Sequence, residues 1–137
     1  MITVIGMWEP DWMDTDRSEI RLWKQTIQAF NVDIWKMAPA SHTRFSVPEQ
    51  FNSIDEAIIN TPGKKTFFVS PRTHQGVELK DYVHPENAIY VIGSAVETLM
   101  RFVTEDDDVV SVNTPTQAAL FGAAFLSIPL YDRLIKQ

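Results

Sequence analysis

The side chains of this sequence that best suit metal or acid–base chemistry are three histidines and one acidic run. His42, His74 and His84 stand far apart in polar segments, so we expect solvated loop histidines rather than ligands of one shared metal. The run Glu105-Asp106-Asp107-Asp108 carries four consecutive carboxylates, a pattern that is typical of a solvated surface turn. We therefore predict that the protein has no metal site.

The general catalytic motifs are missing from the sequence. There is no cysteine, which excludes disulfides, thiolate catalysis and zinc or iron–sulfur sites built from cysteine. The sequence also lacks a Gly-rich dinucleotide fingerprint, a Walker-type phosphate loop, a nucleophile elbow and a helical zinc pair. Function has to be inferred from weaker elements, through their order and spacing.

Length and charge limit the possible classes of protein. A chain of 137 residues, 45% hydrophobic and 22% charged, is typical of one globular domain. The net charge of −6 argues against a monomer that grips a polyphosphate through bulk charge, so any contact with nucleic acid must be local or shared between subunits. The sequence shows no signal peptide and no apolar run near the ~18 residues of a membrane span. We expect a cytoplasmic protein without a membrane segment.

The pattern of apolar residues predicts strands that alternate with helices or loops. Capping-box patterns precede two of the helices, at Asp16-Arg17-Ser18-Glu19 and at Ser53-Ile54-Asp55-Glu56. The last helix is apolar on nearly every face, which predicts that it is buried or covered by another subunit, and Pro129 should end or kink it. We predict strands over 2–7, 32–37, 66–69, 88–92 and 109–112, and helices over 16–30, 53–60, 96–103 and 117–126.

Continuous apolar strands of this kind indicate a mainly parallel sheet that helices cover on both faces. The predicted fold class is therefore α/β, with about five strands. Ligands of such sheets bind beyond the carboxyl ends of the strands, so the candidate loops are 8–19, 70–76, 93–97 and 113–117.

Several segments resemble the small SpoU-like ribose 2′-O-methyltransferases of the SPOUT class of RNA methyltransferases. That family opens with a strand, an aromatic-Glu-Pro loop and a helix that carries an Arg; here Trp8-Glu9-Pro10-Asp11 is followed by Arg21, with the same interval of 13 residues from Trp8. Four further segments are similar to family elements in the same order: Ala29-Phe30-Asn31-Val32, Phe51-Asn52-Ser53-Ile54-Asp55-Glu56-Ala57, Ala88-Ile89-Tyr90-Val91-Ile92-Gly93-Ser94 and Val110-Ser111-Val112-Asn113-Thr114-Pro115. The resemblance spans nearly the whole chain.

The resemblance implies a single SPOUT-like domain over residues 1–137, with a carboxyl-terminal trefoil knot in which S-adenosylmethionine binds. It also implies a homodimer whose two subunits share the active site, and an RNA substrate, tRNA or rRNA, that is methylated on a ribose 2′-hydroxyl. An apolar last helix suits such a fold, because the helix would be buried in the knot and at the dimer interface.

The resemblance also assigns candidate site residues. Arg21 is the candidate catalytic residue, because its planar, permanently charged guanidinium suits a phosphate and could lower the pKa of the ribose hydroxyl; it could instead pair with Glu19 or Asp16 on the helix surface. The implied cofactor-binding residues are Ser70, Gly93, Val112 and Thr116. Gly93 could instead serve only a turn after its strand. The flanking residues Trp8 and Trp12 could stack on a base or be part of the core.

Two other functions remain open at this point. The family's Asn and Glu elements are missing around the candidate loops, where Ala95 and Thr116-Gln117-Ala118 stand instead, which favours a degenerate SPOUT-like module that binds or interacts without catalysis. The other alternative is an unrelated doubly wound domain that binds a nucleotide or a protein. An active enzyme should leave a cavity beside residues 113–117, which Phe121 or Met100 could fill in a degenerate module.

Overall fold

The computed structural model of the protein describes residues 1–8, 17–40, 49–69, 76–93, 99–116, 120 and 122–137. Ten strands and helices lie in these ranges, and two short 3-10 turns occupy Leu79–Asp81 and Met100–Phe102. In chain order the elements are β1 Ile2–Met7, α1 Arg17–Ala29, β2 Ile34–Ala38, β3 Glu49–Gln50, α2 Ile54–Ile59, β4 Thr66–Val69, β5 Val77–Glu78, β6 Ala88–Ile92, β7 Asp108–Ser111 and α3 Gly122–Lys136.

The seven strands form one sheet in the order β3-β2-β1-β6-β4-β7-β5, and every pair of neighbours is parallel. The predicted α/β class with a parallel sheet is therefore confirmed. All carboxyl ends of the strands lie at one edge of the sheet, which we call the carboxyl edge, and all amino ends lie at the opposite edge. The centre of the sheet is β1-β6-β4, whose residues are almost all buried.

Helices cover both faces of the sheet, as the continuous apolar strands predict. Successive strand residues alternate between two core clusters, so that Val4 and Phe68 belong to one cluster while Ile5 and Phe67 belong to the other. The helices α1 and α3 contribute side chains to the first cluster, and α2 contributes to the second. Since α1 and α3 also contact each other, they lie side by side on the same face.

The helix α3 differs from its prediction, because it continues through Pro129 to Lys136. A proline inside a helix lacks the N–H that would bond to the residue four positions earlier, which normally destabilises the helix by ~3 kcal/mol. Here Pro129 is buried within α3, and the neighbouring turns bury Phe125, Leu126 and Leu130. Burial of those side chains offsets the lost hydrogen bond, so tertiary packing overrides the local signal.

Two other predictions fail in the described ranges. Residues 99–103 form only a 3-10 turn instead of the second half of a helix, because the Thr104 N–H is bonded to the Asp107 carboxylate at 3.0 Å and the chain already turns toward β7. The polar stretch 71–85 contains an unpredicted short strand, β5, which forms one edge of the sheet. In the ranges that the structure describes, no helix is long and apolar enough to cross a membrane.

Candidate functional site

Three neighbouring strands end side by side at the carboxyl edge and form the frame of the candidate site. The register pairs Phe68 of β4 with Ile92 of β6, and Val69 of β4 with Ser111 of β7. Since adjacent strands lie ~4.8 Å apart, the backbone groups of these three ends fall within about 10 Å of one another. The backbone N–H of Val112 still donates to the Val69 carbonyl at 3.4 Å, so the β7 end stays attached to β4 beyond the ladder.

The structure brings two of the predicted cofactor-binding residues to this frame. Gly93 follows the last residue of β6 and is partly exposed, whereas Val112 follows β7 and is buried. The two residues therefore lie on either side of the β4 end. Thr116 is exposed, four residues beyond Val112. Ser70, the fourth predicted residue, lies outside the described residues.

The helix α3 begins with a glycine in a left-handed conformation. Gly122, the first residue of α3, is buried and has a φ of +70°, a conformation that favours glycine. Among the described residues, no atom lies within 4 Å of the place that a Cβ on Gly122 would take.

A separate cavity of about 420 Å³ runs beside the β7 end. Ser111, Val112 and Asn113 line it on one side, and Ile128 and Asp132 of α3 line it on another. Glu78, Leu79 and Lys80 complete its lining, so this cavity lies between the β5 segment, the β7 end and α3. The cofactor-shaped cavity expected beside residues 113–117 stays a prediction. Phe121, which could fill such a cavity, lies outside the described residues.

Arg21 lies on the exposed side of α1, and the neighbouring Leu22 is also exposed. Because α1 follows β1, its first turns lie nearer the carboxyl edge than the amino edge. Of the two suggested pairing partners of Arg21, Glu19 is buried and Asp16 lies outside the described residues. The exposed guanidinium suits an anionic group on another molecule.

Trp8 belongs to the core, so it is not available to stack on a base. Its side chain is 0% exposed and lies edge-on to Trp23 and Trp35, with ring centroids 6.5 and 6.3 Å away. Trp12 lies outside the described residues. The described ranges also hold no group of three or more potential metal-ligating side chains, and His42 and His74 lie outside those ranges.

A second polar cluster, which the sequence did not predict, lies where the carboxyl-terminal end of α3 meets the segment before β6. His84 was predicted to be a solvated loop residue, but its side chain is only 5% exposed. Its Nδ1 lies 2.6 Å from the Tyr90 hydroxyl, and its Nε2 lies 2.7 Å from Asp132 Oδ2. Arg133 donates to the Tyr90 hydroxyl at 3.1 Å, and Lys136 lies 2.8 Å from Asp132.

Burial and charge affect the titratable groups of this second cluster in opposite directions. Burial lowers the pKa of His84, while the hydrogen bond to Asp132 acts to raise it and the charge of Lys136 acts to lower it. Burial raises the pKa of Tyr90, and the hydrogen bond from Arg133 partly offsets that rise. His84 and Asp132 are 48 residues apart in sequence, so no local spacing could have revealed their contact.

Comparison with known proteins identifies the fold. No family model matches the chain, and no curated protein matches it. Among solved structures, one on the 2-OH methylation of C/U34 on tRNA superimposes with a TM-score of 0.70 at 12% identity, covering 98% of this chain and 90% of the other. TrmJ from Z. mobilis ZM4 gives a TM-score of 0.63 at 11% identity, covering 97% and 68%.

The SpoU methyltransferase AviRb from Streptomyces viridochromogenes, in complex with AdoMet, gives a TM-score of 0.67 at 14% identity. The match covers 99% of this chain and 57% of AviRb, so the chain spans little more than half the length of that protein. These likenesses confirm the fold that the resemblance predicted and argue against an unrelated doubly wound domain. The carboxyl-terminal knot stays a prediction.

Proposed function

We propose that this chain, which has the fold of the SpoU methyltransferases, is a cytoplasmic, homodimeric RNA methyltransferase that transfers a methyl group from S-adenosylmethionine to a ribose 2′-hydroxyl of tRNA or rRNA. The observation that carries the proposal is the carboxyl edge, where the ends of β6, β4 and β7 stand in register. All seven strands join one sheet, which supports a single domain over residues 1–137.

The described residues fit S-adenosylmethionine at this edge. Strand ends present backbone N–H and C=O groups. These can form hydrogen bonds with the adenosine and amino-acid parts of the cofactor, so the protein needs no charged side chain there. Gly93 brings no side chain into the space beside β6, Val112 offers an apolar contact, and no atom of the described residues would meet a Cβ at Gly122 at the start of α3. We assign Gly93, Val112 and Thr116 to this pocket, together with Ser70. The bound cofactor would supply an electrophilic methyl group on a sulfonium.

The contribution of Arg21 would be to position the RNA. Transfer to a ribose hydroxyl requires that oxygen to lie in line with the methyl group, so orientation supplies much of the rate enhancement. The exposed guanidinium of Arg21 can hold a phosphate beside the ribose through two parallel hydrogen bonds and stays charged at every relevant pH. A local cation of this kind also suits a chain with a net charge of −6.

Exposed apolar side chains on α1 and α3 support a homodimer. Leu22 of α1 is 52% exposed, and Tyr131, Leu134 and Ile135 of α3 are 56 to 61% exposed. The two helices lie side by side, so these side chains belong to one face of the subunit. Exposed apolar residues concentrated on one face are typical of an interface, and the last helix was predicted to be covered by another subunit.

The alternative is a degenerate SPOUT-like module that retains the fold without catalysis. One observation favours it: the family's Asn and Glu elements are missing from the candidate loops, where Ala95 and Thr116-Gln117-Ala118 stand instead. Such a module would bind RNA or a protein partner without transferring a methyl group.

Calorimetric titration with S-adenosylmethionine and S-adenosylhomocysteine is the first test. We expect micromolar binding that Gly93→Trp abolishes, because an indole at residue 93 would occupy the pocket. Ile59→Trp is the matched control, since residue 59 is exposed on α2 and binding should be unchanged there. Absence of binding to the folded wild-type protein would contradict the enzymatic proposal and favour the degenerate module.

Transfer of a radiolabelled methyl group to a mixture of unmodified tRNA and rRNA is the second test. Arg21→Ala should leave cofactor affinity unchanged and lower transfer at least a hundredfold, whereas Arg21→Lys should recover only part of the rate because it lacks the planar fork. Lys64→Ala removes an exposed cation at the amino edge of the sheet and should have little effect. Transfer by Arg21→Ala at the wild-type rate would exclude the role given to this residue.

A further inference from the structure

The second polar cluster is a continuous chain of hydrogen bonds between α3 and β6, which we call the clasp: Tyr90, His84, Asp132, Arg133 and Lys136. Contacts of 2.6 to 3.1 Å join Arg133 to Tyr90, Tyr90 to His84, His84 to Asp132 and Asp132 to Lys136. Tyr90 is 0% exposed and Arg133 is 8% exposed, so water cannot readily replace these partners. The loop residue His84 forms the central link of this chain.

The donors and acceptors of the clasp specify one protonation state of His84. Arg133 can only donate, so the Tyr90 oxygen accepts from Arg133 and its hydroxyl proton points to another partner. That partner is Nδ1 of His84, which must then be an acceptor without a proton. Nε2 therefore carries the proton and donates to the Asp132 carboxylate. A neutral His84 with its proton on Nε2 therefore satisfies both of its own ring nitrogens and the Tyr90 hydroxyl.

The same helix residues also hold the chain segment that precedes β6. Arg133 and Lys136 donate to backbone carbonyl oxygens at 2.6 to 3.0 Å, and these belong to Leu79, Tyr82, Pro85 and Glu86. The clasp thus joins three parts of the fold: the last two turns of α3, segment 79–86 and β6.

We propose that the clasp is a proton-sensitive device: it holds the carboxyl-terminal half of α3 against segment 79–86 while His84 is neutral, and it loosens when His84 gains a second proton. In the protonated ring both nitrogens are donors. The Nδ1 proton then points at the Tyr90 oxygen, and the Tyr90 hydroxyl proton loses its acceptor in a buried site.

The charges around His84 come from every element packed against it. Asp132 favours the imidazolium, while Arg133 and Lys136 on the same helix oppose it. Tyr90 on β6 supplies the hydroxyl, and the ring of Tyr82 lies edge-on to His84 with centroids 5.1 Å apart. Other charged groups line the adjacent cavity of about 520 Å³: Lys80, Asp81 and Glu86. Burial and the loss of the Tyr90 hydrogen bond both act against the protonated state.

The clasp also bears on the carboxyl edge, and this step rests on the proposed function. A helix transmits displacement along its axis, and α3 begins with Gly122, beside the proposed cofactor pocket, and ends with the clasp. Asp132, His84 and Arg133 are then positioning residues for the pocket wall. Loosening of the clasp should therefore weaken cofactor binding; of the clasp residues, Asp132 lines the cavity that Val112 also lines.

Amide hydrogen exchange of the full-length protein at pH 7.5 and pH 5.5, corrected for the intrinsic effect of pH on exchange, tests the clasp. We expect protection of residues 128–136 to fall about tenfold or more at pH 5.5 in the wild type, the scale of an unsatisfied buried hydrogen-bonding group. His84→Gln keeps an amide donor but cannot titrate, so this pH effect should disappear. His42→Gln, at another histidine of the chain, is the matched control and should retain the effect.

Nitrogen NMR of the wild-type imidazoles supplies a readout that needs no variant. His84 should be the Nε2–H tautomer at pH 7.5, and its protonation should coincide with the loss of α3 protection. Three results would each overturn the proposal. The first is equal corrected protection at the two pH values, the second is a pH effect that persists in His84→Gln, and the third is an Nδ1–H tautomer of His84 at pH 7.5. Titration with S-adenosylmethionine at both pH values separates the two proposals: absence of binding at both pH 7.5 and pH 5.5 contradicts the enzyme alone, whereas weaker binding at pH 5.5 than at pH 7.5 supports the link between the clasp and the pocket.

Discussion

The six-membered ring of Trp23 lies against Gly6, so closely that residue 6 has no room for a side chain. A Cβ on Gly6 would be 2.5 Å from Trp23 Cη2, and it would also be 2.9 Å from Met37 Sδ. Gly6 is in the middle of the sheet on β1, while Trp23 is on α1 and is 0% exposed. The close approach of α1 to the sheet therefore depends on the absence of one methyl group.

We expect Gly6→Ala to destabilise the protein by about 1 to 3 kcal/mol, because α1 has to shift to accommodate the extra methyl group. Urea unfolding followed by tryptophan fluorescence measures the change. Gly122→Ala is the comparison variant: its Cβ meets no atom of the described residues within 4 Å, so we expect mainly the strain of a positive φ, about 1 kcal/mol. Equal stability of Gly6→Ala and wild type would show that this contact is looser than described.

Ser53 caps the amino-terminal end of α2. Its side chain accepts a hydrogen bond from the Glu56 N–H at 3.2 Å, and the Glu56 carboxylate accepts from the Asn52 N–H at 3.1 Å. Ser53→Ala should lower the free energy of unfolding by about 0.5 to 2 kcal/mol, whereas Ser53→Asp should retain the cap and most of the stability. Chemical denaturation of the two variants measures the difference. Equal free energies of unfolding for Ser53→Ala and Ser53→Asp would show that the cap does not stabilise the protein.

Tyr82 joins β4 and β7 at the amino edge of the sheet. Its hydroxyl lies 2.8 Å from Thr66 Oγ1 and donates to Asp108 Oδ2 at 2.8 Å. Burial raises the pKa of Tyr82 well above its ordinary value of 10.0, so the unfolded chain loses this proton first as the pH rises. Stability is fully present below pH 10 and falls above it.

Tyr82→Phe should therefore be less stable at pH 8, by about 1 to 3 kcal/mol, and should lose less stability than wild type between pH 9 and pH 11. Tyr90, whose pKa burial also raises, remains in the variant, so part of the alkaline loss should persist. Unfolding curves at several pH values provide the measurement. If the free energy of unfolding fell equally with pH in the wild type and the variant, the alkaline loss of stability would not come from Tyr82.

The proposed dimer predicts that a charge on the exposed face of α3 will separate the subunits. Leu134→Glu should weaken dimerisation at least tenfold while leaving the subunit folded, because residue 134 is 56% exposed in the monomer. Ile59→Glu places the same charge on α2, at a residue 79% exposed, and should leave the dimer intact. Sedimentation velocity over a range of concentrations distinguishes the two, and a wild-type monomer at all concentrations would contradict the dimer.

The sequence predicted the centre of the fold well because local pattern and tertiary environment agree there. The strands at 66–69 and 88–92 were predicted with the bounds that the structure shows, since both are continuous apolar runs in the buried part of the sheet. The cap at Ser53 was predicted for the same reason, because both partners of its hydrogen bonds lie within four residues.

The predictions that failed depend on contacts between distant residues. Burial of Phe125, Leu126 and Leu130 stabilises α3 on both sides of Pro129. That burial depends on contacts with distant residues, so the sequence around the proline could not predict it. His84 looks like a solvated loop residue until α3 brings Asp132 to within 2.7 Å of it. At the candidate site, Gly93 and Val112 follow strands that end at the same edge, and the parallel register explains why residues 19 positions apart in sequence lie there together. Their role in cofactor binding stays a prediction.

The strand order has a consequence for the time at which this protein can fold during its synthesis. β1 comes first in the chain, yet one of its two neighbours in the sheet is β6, whose residues begin at Ala88. Likewise β4 lies between β6 and β7, which are both translated later. A ribosome that elongates at about 5 to 20 residues per second would therefore hold an incomplete sheet for several seconds, with the apolar strand β1 open to other nascent chains.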